Sequence, residues 1–162
     1  MINDTMISKD LAGKRLQISR AFNAPVEKVW RAWTDRAILD TWWAPKPWKA
    51  ETKTLDFRAG GSWLYCMRGP DGSAAWCRVD FKTVVPGQSF TSAAVFCDES
   101  GNINPSMPTM YWLVKFGATA TGTQMEIEVS FDTEADLQKI VEMGFEAGFT
   151  MGLGNLDEVL KG

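Results

Sequence analysis

Between Lys49 and Asp132 the chain repeats one pattern six times: a short run of alternating apolar and polar residues, then a turn signal. No other feature restricts the fold as much. Successive side chains of a strand point to opposite faces, so each alternating run can bury one face and must leave the other wet. The runs are Lys49–Arg58, Ser62–Arg68, Ala75–Val85, Ser89–Cys97, Thr109–Ala118 and Gln124–Asp132. Gly60-Gly61, Pro70-Asp71-Gly72, Pro86-Gly87 and Thr121-Gly122 punctuate them as turns. The polar, proline-bearing stretch 98–108 (DESGNINPSMP) predicts a long loop. An earlier run, Lys14 to Phe22, predicts one more strand, and residues 1–13 read as a loose N-terminal arm.

The turn at Asp71 decides which faces meet. A two-residue turn, Asp71-Gly72, would set Cys66 opposite Cys77 and put Trp63, Tyr65 and Met67 on one face with Asp80, Arg78 and Trp76. A three-residue loop, Asp71 to Ser73, sets them opposite Phe81, Val79 and Cys77 instead. A slip of one residue exchanges the two faces of a strand. The second register joins apolar to apolar and is the expected one; it argues against a Cys66–Cys77 disulfide. One face then carries Leu55, Phe57, Trp63, Tyr65, Met67, Cys77, Val79, Phe81, Phe90, Phe96, Trp112, Val114 and Phe116, continued by Met125, Ile127, Val129 and Phe131. The other carries Asp56, Arg58, Arg78, Asp80, Lys82, Lys115, Glu126 and Glu128. Such a division belongs to an antiparallel sheet with one covered face.

Helical signals flank the strands. Pro25 opens a helix whose Val26, Val29, Trp30 and Trp33 share a face. Thr34-Asp35 breaks it and caps a second short helix from Arg36 to Trp42 or Trp43. Pro45 and Pro47 stop that helix, since neither has an N–H to donate. In TWWAPKPW (41–48), Trp42 and Trp43 are about 100° apart on a helix and cannot face the same way. The expectation is that Trp43 locks the helices onto the sheet while Trp42 and Trp48 form a pocket rim. From Glu134 to Leu160 a single long helix is predicted, the one element able to cover the apolar sheet face.

That helix carries Gly144, Gly148 and Gly152 at four-residue intervals, with Gly154 following. Each interior glycine costs a helix about 1 kcal/mol relative to alanine. Two readings stay open: close packing of helix on sheet, or a cavity beneath the helix, bordered by Phe145, Phe149 and Met151. For the second, the lining would comprise Trp63, Tyr65, Met67, Cys77, Val79, Phe81, Trp112 and Val114 from the sheet, with Phe145, Gly148, Phe149 and Gly152 from the helix.

Composition narrows the chemistry. The chain has 162 residues, a length suited to one domain, and a net charge of −3 without runs of like charge, so neither nucleic acid nor a membrane surface is expected as partner. No apolar run reaches membrane-span length, and the start lacks the apolar core of a signal peptide. With three cysteines, this points to a reducing cytoplasm. Histidine is absent, which removes Ser-His-Asp and Cys-His systems and imidazole-ligated metals; no cofactor or metal is expected. Asp56 with Arg58 reads as an exposed pair, Cys77 as an apolar filler, and Tyr65 as the best polar handle on the apolar face. Arg68 and Arg78 read as solvated arginines near the hairpin end.

Taken in order, Phe22-Asn23-Ala24-Pro25, Val29-Trp30-Arg31-Ala32-Trp33-Thr34-Asp35, Trp42-Trp43-Ala44-Pro45, Asp56-Phe57-Arg58-Ala59-Gly60-Gly61-Ser62-Trp63, Met67-Arg68-Gly69-Pro70-Asp71-Gly72 and Gly148-Phe149 resemble the START-like (SRPBCC) helix-grip superfamily. More narrowly they resemble its branch named after the activator of the heat-shock chaperone ATPase, the AHSA type. The resemblance runs from about Leu16 to Leu160. It implies an α+β, helix-grip fold over residues 14–162: a seven-stranded antiparallel curved sheet around a long C-terminal helix, with two short helices after the first strand and a cavity between sheet and helix. It carries no universal catalytic set. The chain departs from the branch at Phe149, where tryptophan is usual, at Ala93-Ala94 in place of a Thr-Glu pair, and at Gly152 and Gly154 in place of larger residues. These departures imply a roomier, less polar cavity. The leading expectation is a protein that binds a small apolar or aromatic ligand and is not an enzyme. Alternatives are a cofactor-free cyclase or hydrolase in the same cavity, and a chaperone-regulating interaction protein. An exposed apolar patch would support a homodimer.

Overall fold

The six alternating runs form strands in the computed structural model, which describes residues 5–161. The elements are β1 (Met6–Asp10), β2 (Arg15–Phe22), α1 (Val26–Thr34), α2 (Arg36–Trp42), β3 (Lys49–Leu55), β4 (Ser62–Arg68), β5 (Ala74–Val85), β6 (Ser89–Cys97), β7 (Met110–Ala118), β8 (Thr123–Ser130), α3 (Glu134–Glu142) and α4 (Phe145–Lys161). All eight strands make one antiparallel sheet, ordered β1-β2-β8-β7-β6-β5-β4-β3. From β3 to β8 the chain is a meander. The α1–α2 connection leaves β2 beside β8 and delivers the chain to β3 at the opposite edge. Bulges between Thr52 and Thr54 and between Phe81 and Thr83 add one residue each, Lys53 and Lys82; extra residues of this kind bend a sheet and increase its twist.

Local chemistry sets the helix ends. The Asp35 carboxylate accepts from the Ala37 and Ile38 amides at 2.9 and 3.2 Å and starts α2. Thr133 caps α3 by accepting from the Asp136 amide at 3.0 Å. On α1, Val29, Ala32 and Trp33 are buried, while Trp30 sits edge-on to Phe57, Phe90 and Phe116. Every residue assigned to the apolar sheet face belongs to the core or packs against it.

Four expectations change. Among the described residues the sheet has eight strands, not seven, because residues 6–10 of the supposed arm pair along β2, with Ile7 opposite Ile18. Residues 1–4 of that arm, and residue 162, lie outside the described residues. Arg20 explains part of the attachment. Its guanidinium is buried, lies 5.2 Å over the Phe22 ring, and donates to Thr5 Oγ1 at 2.8 Å and Asp157 Oδ2 at 2.9 Å. In the β4–β5 hairpin, Trp63 faces Val79, Tyr65 faces Cys77 and Met67 faces Ala75, two residues away from the expected pairing. A shift of two preserves the faces, so the apolar side is as expected although the partners differ. All three cysteines are free.

The C-terminal helix is also not continuous. Gly144 has φ +89°, a left-handed conformation that ends α3 before α4 begins. Finally, the two tryptophans exchange the roles expected of them. Trp42 is 1% exposed, its ring against Trp33, its indole N–H donating to the Ala32 carbonyl at 2.9 Å. Trp43 is half-buried. No helix among the described residues is long and apolar enough to cross a membrane.

Candidate functional site

A cavity of about 250 Å³ lies between the concave sheet face and the α3–α4 turn. Its walls come from four places. Strands β4 and β5 supply Trp63, Tyr65, Met67, Cys77, Val79 and Phe81; β6 and β7 supply Phe90, Ser92, Ala94, Phe96, Met110 and Trp112. Trp33, Trp43 and Pro45 close the α1–α2 side, and Ile140, Met143, Gly144, Phe145, Gly148 and Phe149 close the other. Phe145 and Phe149 stack at 5.5 Å, and Trp112 meets both edge-on at 5.9 and 5.3 Å. Among the described residues, no charged side chain lines the space.

The polar groups follow from register. Tyr65 and Cys77 are cross-strand partners, so phenol and thiol meet on the inner face. The Trp43 indole N–H donates to the Tyr65 hydroxyl at 2.9 Å. Burial pushes the Tyr65 phenol well above its ordinary range and the Cys77 thiol up to about 12. Both are neutral at physiological pH. The Trp63 indole donates to Thr52 Oγ1 at 3.0 Å, which in turn donates to Asp40 at 2.6 Å. This chain leads out of the cavity and braces α2 against β3.

Ten of the twelve lining residues expected from sequence border the space. Val114 and Gly152 do not. Val114 is wholly enclosed in the core near Phe90, its partner across β6. Gly152 packs against the tryptophan corner: a Cβ there would stand 3.2 Å from the Trp43 carbonyl oxygen and 3.5 Å from that of Trp42. Asn155 adds hydrogen bonds to the Trp42 and Ala44 carbonyls at 3.4 and 3.2 Å. Neither rim residue borders the cavity: Trp42 is core, and Trp48 lies over Gly69. Gly154 faces open space. The arginines stay outside, Arg68 on Glu51, Arg78 on Asp80 and the Gly101 carbonyl. Asp56 and Arg58 form an exposed pair at 2.7 Å.

Sequence reasoning missed Ser92 as lining and tied Ala94 to the cavity only through the family resemblance, not through its strand face. The signal was present, because they alternate with Phe90 and Phe96 on β6 and so share their face. Trp33 was placed on a helical face but not against a cavity, because helix periodicity does not say what lies opposite.

Comparison with known proteins agrees with this architecture. The solution structure of a protein from Arthrobacter aurescens matches over 96% of this chain and 91% of its own, with 32% identity and a TM-score of 0.91. A crystal structure of a protein from Mycobacterium smegmatis matches over 96% of each chain, with 28% identity and a TM-score of 0.89. The AHSA1 protein of Silicibacter pomeroyi, 21% identical over 91% of this chain and 97% of its own, shares the fold with a TM-score of 0.72. No curated protein matches. The family model described as "Activator of Hsp90 ATPase homolog 1-like protein" matches residues 23–161. That span takes in α1 through α4, cavity and tryptophan corner included, and the chain belongs to this family.

Proposed function

We propose that the chain binds a small, uncharged, apolar or aromatic molecule between the sheet and the α3–α4 turn. One observation carries the reading: the space has mostly aromatic and aliphatic walls and, among the described residues, no charged side chain. An apolar hollow of this kind favours an apolar guest, since burying an ion without a partner is costly. At interior packing density, about 250 Å³ accommodates a ligand of about a dozen non-hydrogen atoms. The departures at Ala94 and Phe149 both fall on its wall, where smaller side chains enlarge it.

A cofactor-free cyclase or hydrolase in the same cavity is the weaker reading. It needs a group able to exchange a proton near neutral pH, and burial holds both Tyr65 and Cys77 protonated. Regulation of a chaperone rests on the family description alone; direct binding to purified Hsp90 would support it.

Thermal-shift titration with neutral aromatic compounds tests the proposal. Tm should rise with naphthalene or indane and stay unchanged with naphthalene sulfonate. Ala94→Phe, which fills the hollow, should abolish the rise while leaving a folded protein. An equal response from that variant would mean that the compounds bind elsewhere.

A further inference from the structure

The side-chain nitrogen and oxygen atoms of the cavity wall fall into three states. Some are paired: Trp43 and Trp63 place their indole N–H groups on the Tyr65 and Thr52 hydroxyls. One is sealed: the Trp33 indole N–H has no acceptor and lies out of reach of the hollow. Two are open: the Ser92 hydroxyl and the Trp112 indole N–H have no hydrogen-bond partner among the described residues, and neither is closed off as the Trp33 N–H is. Register explains why Ser92 opens inward. It sits on the inner face of β6 between Phe90 and Ala94, opposite Phe81 on β5 and Trp112 on β7. Strands flank it on both sides and the sheet backs it. Ser92 is only 5% exposed, and the surface it keeps faces the hollow that it borders. A buried polar atom without a partner is uncommon in folded proteins, and one that opens on a hollow has room for a partner from outside the chain.

We propose that Ser92 is the specificity-determining residue of the cavity, its hydroxyl donating to a neutral acceptor oxygen (ketone, ester or ether) on an otherwise apolar or aromatic ligand. The inference rests on the ligand-binding reading above and narrows its ligand class. A serine hydroxyl can donate or accept, whereas an indole N–H only donates. An acceptor oxygen therefore suits whichever open atom it meets, Ser92 or its cross-strand neighbour Trp112. A ligand N–H suits Ser92 alone. A carboxylate would shed its water without gaining a cation, because among the described residues no lysine or arginine lines the space. A plain hydrocarbon would fill the cavity and leave the Ser92 hydroxyl unpaired.

The test crosses two ligands with two proteins. Indanone and indane, which differ by one carbonyl, are titrated by calorimetry into the intact chain and into Ser92→Ala. The ligands lose different amounts of hydration on binding, and comparing the effect of one substitution on each cancels that difference. Ser92→Ala should weaken indanone about three- to tenfold, the range expected for one net hydrogen bond, and leave indane unchanged. The Tm of the free variant should match or exceed that of the parent, since only an unpaired hydroxyl is removed. Indanone affinity unchanged by Ser92→Ala, or weakened no more than that of indane, would overturn the role of Ser92 while leaving the cavity reading intact. So would binding of indane alone by the intact chain. A variant that fails to fold would show the hydroxyl to be needed within the chain and would overturn the role as well. Binding of neither compound by the intact chain would overturn the cavity reading and this inference with it.

Discussion

The two ends of α4 meet the rest of the molecule in different ways. Toward its C-terminus, Leu153, Leu156 and Leu160 enter the core, and Gly152 and Asn155 bring the helix onto the Trp42–Ala44 backbone. Toward its N-terminus, Gly144 breaks the helix, a Cβ at Gly148 would meet only the Pro45 ring at 3.7 Å, and the cavity opens beside Phe145 and Phe149. One helix thus has a packed half and a hollow half. The glycines spaced four apart serve three purposes: a left-handed break, a cavity wall and a close backbone approach. Equal spacing in sequence does not imply equal work, because what a missing Cβ provides depends on what stands opposite.

The largest expected effect breaks the contrast most directly if it fails. Trp42→Ala removes a fully buried indole from the packed half and should cost about 3–5 kcal/mol. Trp43→Ala enlarges a hollow that already exists and should cost about half as much in urea unfolding. Equal losses would erase the distinction between the halves. The hollow half also holds the buried thiol and phenol. Cys77 is raised to about 12 in the folded chain, above its ordinary value of 9.0, so the native state retains a proton that the unfolded state releases. Its contribution is fully present below about pH 9 and declines by up to about 1.4 kcal/mol per pH unit until about pH 12. Tm should therefore fall above pH 9, and Cys77→Ala should flatten that fall.

Smaller effects sharpen the account of the glycines. Gly152→Ala gains helix propensity but drives a methyl to 3.2 Å from a carbonyl held in the corner. Overpacking of this sort should outweigh the gain and cost about 1–2 kcal/mol. Gly154→Ala, with nothing within 4 Å of the added Cβ, should stabilise by up to about 1 kcal/mol. Matched denaturation curves of the two variants should therefore shift in opposite directions.

The division of the sheet into two faces was legible because it depends only on parity. It survived a two-residue error in the β4–β5 register, since such an error leaves every side chain on its own face. The caps at Asp35 and Thr133 act locally, and Asp35 could be read from sequence for that reason. Strand β1 was not legible, because Met6–Asp10 is a mostly exposed edge without clear alternation. The tryptophan corner was misread because two adjacent indoles can divide inside and outside in either order. Only the Ala32 carbonyl and the Tyr65 hydroxyl, both distant in sequence, decide it. Most of the cavity wall followed from strand parity, whereas Gly152 and Val114 depended on how closely the helices approach.

The eight tryptophans provide the most direct test of the central claim, that the hollow half of the fold is a ligand site. Trp33, Trp43, Trp63 and Trp112 border the cavity, while Trp30, Trp42, Trp48 and Trp76 do not. Nitrogen–proton correlation spectra of the indole groups, recorded while naphthalene is added, should show saturable shifts in the first four and little change in the others. Stationary resonances throughout, or shifts centred on Trp48 and Trp76, would contradict the account.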